Sequence, residues 1–276
     1  MGFTIVSRPL GICTMCLLIF AHRISPHYPL LVAANRDEFY ERPTRASEFW
    51  SEYPSVLAGR DENLGGTWMG TTKGGRFAAV TNFRDPQTPP SNVRSRGELP
   101  LNFLSSQASP EQYLCDISEN ADQYAGFNLL LGDPDGLWYF CNRSMSGDHP
   151  PDQPRELQPG IYGLSNAHLD TPWPKVALGK QRLERLLLES DDIEHDRLQK
   201  LVSDESPAPQ AQLERLGMNT DMEQMLSAQF IRAQAYGTRS TTTLWRDRQG
   251  KASWRELSYD PKGQRVGSVQ EDFSAG

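Results

Sequence analysis

Three times along this chain, two short apolar runs flank a compact turn signal, and this repetition constrains the fold more than any other feature. CLLIFA and PLLVAA, between Cys16 and Ala34, are separated by HRISPHY, whose prolines suit a turn. TWMGTT and RFAAVTN, between Gly65 and Asn82, flank KGG. YAGFNLLLGDPDGLWYFCNR, from Tyr124 to Arg143, joins two runs rich in Leu, Phe, Trp and Tyr through GDPDG. Runs this short cannot be helices that pack alone, so each pair predicts a hairpin of buried strands.

Helical patterns fall between the hairpins. SRGELPLNFLSS begins a helical pattern that continues through PEQYLCDISENA, which predicts helices there. WPKVALGKQRLERLLLES places Val176, Leu183, Leu186 and Leu187 on one face and charges on the other, which predicts an amphipathic helix. GIYGLSNA before it reads as a strand, residues 190–228 are polar and partly helical, and AQAYGTRSTTTLWRDRQGKASWRELSY closes with strand, turn and strand. Strands near both ends with helices between them imply one layered domain with an antiparallel sheet core, not a βαβ series.

Charge and composition exclude several function classes. With 28 basic and 35 acidic residues the net charge is −7, which gives no attraction to polyanions, so nucleic acid is not an expected partner. The apolar run Met15 to Ala21 is far too short to span a bilayer, and no later run is longer, so no transmembrane segment is expected. No secretory signal is legible. Four cysteines, Cys13, Cys16, Cys115 and Cys141, are too few and scattered for a disulfide framework, which sets a cytoplasmic location as the expectation.

Few residues stand out chemically. Asn35, Arg36, Asp37 and Glu38 form the densest polar cluster, directly after LLVAA; on spacing alone the tetrad reads as a solvated turn with local ion pairing. Cys13 and Cys16 have CxxC spacing, but no second CxxC or spaced histidine pair accompanies them, so no metal site is expected. Cys115 and Cys141 fall in apolar patterns and read as small core residues. His22, His27, His149, His168 and His195 show no ligand spacing. Neither glycine pair matches a phosphate loop or dinucleotide fingerprint, and no GxSxG elbow occurs.

Taken in order, MCLLIF, AANRDEF, ERPT, LAGRD, GGTWMG, RFAAVTNFR, SRGEL, YAGFNLL, GLSNAHLDTPWPK and YGTRSTTTL resemble the NRDE-motif family, the transport-and-Golgi-organisation protein 2 family, from Met15 to about Tyr259. The family is similar to N-terminal nucleophile hydrolases, which implies an α+β fold: an αββα sandwich of two antiparallel sheets flanked by helices. The resemblance implies a natural start at Met15, with Cys16 exposed after Met removal. Residues 1–14 are then an extension, from a misplaced start or a pro-segment, unless Cys16 stays internal; residues 15–276 form the family domain.

By likeness to the choloylglycine and penicillin V acylase branch, the resemblance implies Cys16 as nucleophile and Arg36 as the guanidinium favouring thiolate. Asp37 is similar to the carboxylate that holds the terminal amine, with tighter spacing from Arg36 than in that branch. Asn82 and Asn166 resemble the oxyanion-side asparagines, and Arg239 the late arginine of the site. The expected function is an N-terminal-cysteine amidohydrolase acting on a linear amide of a small molecule, requiring no cofactor. The alternative is a non-catalytic carrier of haem or of an acyl lipid or acyl-CoA. A haem axial ligand would come from Cys16, His22, His27 or His168, and an apolar pocket bordered by Trp68, Phe83, Trp138 and Trp173 would take the haem edge or acyl chain.

Overall fold

A computed structural model describes residues 16–84, 93–144 and 153–274. The expected N-terminal extension, Cys13 and His149 lie outside the described residues. The strands are β1 (Cys16–His22), β2 (Leu30–Phe39), β3 (Thr44–Phe49), β4 (Val56–Asp61), β5 (Met69–Thr72), β6 (Phe77–Asn82), β7 (Phe127–Gly132), β8 (Leu137–Cys141), β9 (Arg155–Glu156), β10 (Gly160–Leu164), β11 (Tyr236–Arg246), β12 (Lys251–Tyr259) and β13 (Arg265–Ser274). The helices are α1 (Glu98–Ser105), α2 (Pro110–Ser118), α3 (Pro174–Glu189), α4 (His195–Gln199), α5 (Gln210–Glu214) and α6 (Asp221–Leu226).

All three expected hairpins form, as β1–β2, β5–β6 and β7–β8, and each pairs antiparallel. They do not share one sheet. The first sheet runs β10-β1-β2-β11-β12-β13 and the second β3-β4-β5-β6-β7-β8-β9. The first sheet therefore joins the beginning of the chain to its end, placing YGTRSTTTL beside the NRDE tetrad.

The alternation of side chains along each strand builds the layers. Leu18, Phe20, Val32 and Ala34 of the first sheet pack against Leu57, Met69, Ala79 and Leu130 of the second, forming the core between sheets. The opposite face of the first sheet, with Leu17, Ile19, Leu31 and Ala33, packs on Val176, Leu183 and Leu186 of α3 and Leu198 of α4. The outer face of the second, with Ala78, Val80, Leu129 and Leu131, packs on Leu99 and Phe103 of α1 and Leu114 of α2. The result is an αββα sandwich, as expected. A Cβ on Gly179 would lie 2.5 Å from Ile19 Cγ1, so this glycine is what lets α3 sit directly on β1.

Two expectations fail. The tetrad is no solvated turn: it continues β2, and all four side chains are buried, because β1 and β11 flank it on both sides. Cys115 is exposed, because α2 turns Leu114 inward and the next residue points some 100° away on the helix. Cys141 is buried as expected. Among the described residues no helix is long and apolar enough to cross a membrane.

Candidate active site

Cys16 opens β1 directly opposite Arg36 on β2. The strand period then sorts the tetrad. Arg36 and Glu38 share the face of Val32 and Ala34, toward the second sheet, while Asn35 and Asp37 share the face of Leu31 and Ala33, toward the helices. Arg36 reaches the second sheet, where Nη1 donates to Thr44 Oγ1 at 3.2 Å, and its Nη2 lies 3.9 Å from Glu38 Oε2. Asn35 donates through Nδ2 to the carbonyls of Val202 at 2.7 Å and Gln229 at 2.9 Å, and accepts from Thr241 Oγ1 at 2.7 Å. Its role is to tie the helical layer to the sheet.

Of the remaining expected residues, Asn166 contacts Cys16 directly. Asn166 accepts from the Cys16 backbone N–H through Oδ1 at 3.1 Å and donates through Nδ2 to the Asn82 carbonyl at 2.7 Å. Ser165, unmarked in the sequence reading, donates through Oγ to the Cys16 carbonyl at 2.7 Å. Asn166 thus clamps the first residue of β1 to the end of β6. Arg239 sits where the β11–β2 register shifts between Thr238 and Ser240; such a bulge re-aims a side chain, and here the guanidinium donates to the carbonyls of Phe39 and Arg42, both at 2.9 Å.

Cys16, Arg36, Asp37, Asn82 and Arg239 line one cavity of about 440 Å³. Seven arginines and four carboxylates line it in a chain of net negative charge. Trp68 also borders it, and its mouth includes Leu64 and Val266, 62% and 65% exposed. The expected aromatic quartet does not assemble. Phe83 meets His168 edge to face, Trp138 packs against the α1 and α2 layer, and Trp173 borders a separate cavity with Lys175 and Leu226, because these strand and loop positions face different layers. Of the proposed haem ligands, Cys16 alone lines this cavity; His22 is buried elsewhere and His27 lies beside Asp191 at the surface.

Electrostatics set the proton inventory. Burial, and then the Asp37 charge, push the Cys16 thiol up to about 12; the Asp37 backbone N–H at the sulfur and the Arg36 charge act against this. Burial raises Asp37 to about 6, opposed by Lys175, by the 2.6 Å hydrogen bond from Thr238 Oγ1, and by Arg36. Lys175, the second residue of α3, is buried and lowered to about 8 by desolvation, with Asp37 and Cys16 pulling it back up. The sequence reading passed over Lys175 and Thr238. Lys175 did carry a signal: a cation in the first turn of a helix opposes the dipole and needs an anion nearby.

Asp37 gives a pH-dependent stability. Its carboxyl binds a proton near pH 6 when folded and near 3.8 when unfolded, so between those values the native state holds more protons and is favoured as pH falls. Relative to Asp37→Asn, the native chain is expected to gain about 1 kcal/mol between pH 7 and pH 5. Chemical denaturation of both proteins at the two pH values measures this; an unchanged difference would contradict it.

The chain matches the Transport and Golgi organisation 2 family over residues 15–261. It belongs to that family. The Transport and Golgi organization protein 2 homolog of Bos taurus is 36% identical over 263 residues, spanning 88% of this chain and 93% of the relative. Among solved structures, a Caenorhabditis elegans ortholog of N-acylethanolamine-hydrolyzing acid amidase has a TM-score of 0.43 at 11% identity, over 68% of this chain and 86% of that one. A mutant conjugated bile acid hydrolase from Clostridium perfringens has a TM-score of 0.41 at 9% identity, over 95% and 97% of the two chains. The family match ends before β13, the strand whose Val266 borders the cavity mouth.

Proposed function

We propose that the protein is an N-terminal-cysteine amidohydrolase that cleaves a linear amide of a small molecule once Cys16 is the first residue. The observation that carries this reading is the convergence of Cys16, Arg36, Asp37, Asn82 and Arg239 on one cavity, with Asn166 clamping Cys16 from behind. In that reaction the Cys16 sulfur attacks the amide carbonyl and its proton passes to the terminal amine. Collapse of the tetrahedral intermediate breaks the C–N bond, with the amine returning that proton to the leaving nitrogen. Water then hydrolyses the thioester, yielding a carboxylic acid and the free thiol. The side-chain amide of Asn82 and the guanidiniums of Arg36 and Arg239 are the groups at hand for the developing oxyanion. No cofactor takes part.

The lining favours an amide with an anionic group and an apolar tail. Arg239 spends its bonds on backbone carbonyls, which neutralise no charge, so it can meet a carboxylate; Trp68, Leu64 and Val266 offer the apolar path outward. The test is a panel of N-acyl amino acids given to a chain that begins at Cys16, with released amine and acyl-enzyme mass as readouts. Amine release with a transient acyl adduct on Cys16 supports the reading. Absence of both, in a chain whose first residue is verified as Cys16, sinks it.

The same lining favours a second reading, in which the cavity holds an amphiphilic anion such as haem or an acyl lipid without turning it over. Haem propionates and lipid head groups would meet the same arginines. A Soret shift on mixing with haem that is lost in Cys16→Ala, or saturable binding of a fluorescent fatty acid that survives Cys16→Ala but is lost in Arg239→Ala, would favour this reading.

A further inference from the structure

We propose that Lys175 is a positioning residue of the Cys16 site, the buried cation that holds Asp37 as a carboxylate from behind the sheet. Its functional meaning rests on the reading of Cys16 and Asp37 as the reactive centre, but the pairing itself is testable without any substrate. Lys175 and Asp37 are 2% and 1% exposed. The lysine enters from the helical layer, the layer that the odd-numbered face of β2 meets, and Asp37 lies on that face. Lys175 Nζ donates to the Leu226 carbonyl at 3.1 Å, a contact that orients the ammonium but balances no charge.

Asp37 in turn is half satisfied. Its Oδ1 accepts from Thr238, while its Oδ2 is buried with no hydrogen-bond partner in the described structure. An ionised carboxylate in that state is costly unless a cation lies within electrostatic reach. The charged groups that face it are Lys175 from α3, Arg36 and Glu38 from β2 itself, and the Cys16 thiol from β1, with Tyr40 just beyond the end of β2. Lys175 and Arg36 are the cations among them, and the Arg36 guanidinium is turned to the opposite face and shared with Glu38. A cation in the first turn of α3 is disfavoured by burial and by the helix dipole alike, and Asp37 is the anion that accounts for it. Lys175 does not line the Cys16 cavity, so it acts there through Asp37.

The test uses the full chain and three variants: Lys175→Met, Asp37→Asn and the double change, each melted at pH 7 and at pH 5. Lys175→Met is expected to lower the melting temperature at pH 7 by about 10 °C, because it leaves a buried carboxylate unbalanced. The gap should shrink at pH 5, where Asp37 takes up a proton and no longer needs a cation. Adding Asp37→Asn should restore at least half of the loss at pH 7 and remove the pH dependence of the gap. A lysine that merely fills space and anchors Leu226 predicts an equal gap at both pH values and additive losses, and either result overturns the proposal. If Lys175→Met does not fold, folding of the double variant supports the pairing and its failure to fold overturns it. A coupled pair in a protein that hydrolyses no amide would leave this inference standing and remove the hydrolase reading; active enzyme with additive losses would do the reverse.

Discussion

Replacing Cys16 by Ala in a chain that begins at that residue is expected to lower amide hydrolysis by a factor on the order of 10⁴ or more, and leaving residues 1–15 attached should cost about 10² to 10⁴. The two losses have different causes. Alanine removes the nucleophile outright. The attached segment removes the base: the Cys16 nitrogen is then an amide, which donates to Asn166 Oδ1 and has no pair to take a proton. The thiol cannot compensate, because burial and Asp37 push it up to about 12, so near neutral pH it is held as the neutral thiol. A terminal amine with an ordinary pKa near 7.7 to 8.0 is neutral in about a third of molecules at about pH 7.5. Rates of amine release from the preferred N-acyl amino acid, compared among the trimmed chain, its Cys16→Ala variant and the full chain, decide the matter. Equal rates in trimmed and full chains would show that the base is a different group.

How much of this was legible beforehand follows from where each residue sits in its element. The three hairpins could be read because their strands lie in the middle of sheets and bury both faces, leaving apolar runs with turn residues between them. β3 and β13 could not. TRASEF and RVGSVQEDFS are edge strands with exposed side chains, and they are strands because β4 and β12 offer ladders to pair with, which no local pattern records. In the site, Cys16 and Arg36 were found through motif likeness, and the structure sets them face to face. The aromatic quartet went wrong for the complementary reason: Trp68, Phe83, Trp138 and Trp173 were grouped by type, whereas layer membership is set by strand phase and crossover connections. Lys175 was passed over because Asp37 is 138 positions earlier in the chain, and only the packing of α3 on the first sheet brings them near one another.

The same strand phase predicts which change in the tetrad is the most damaging to the fold and which to the chemistry. Asn35→Ala is expected to destabilise the protein by about 3 to 5 kcal/mol while leaving the cavity lining intact. Asn35 is fully buried and holds three partners: the Val202 and Gln229 carbonyls and the Thr241 hydroxyl. Each buried group left unsatisfied costs about 1 to 3 kcal/mol. Asn35→Asp should be worse than alanine, since it keeps the acceptor for Thr241 but loses both donors and brings a second carboxylate onto the face that already holds Asp37. Arg36→Ala points the other way, into the cavity, and is expected to cost activity more than stability because its guanidinium makes one 3.2 Å hydrogen bond and a 3.9 Å contact with Glu38. Urea denaturation of the three variants beside their hydrolytic rates separates the two roles. Equal stability losses for Asn35→Ala and Arg36→Ala would contradict the alternation, because two adjacent residues on one strand would then be doing the same work from opposite faces of the sheet.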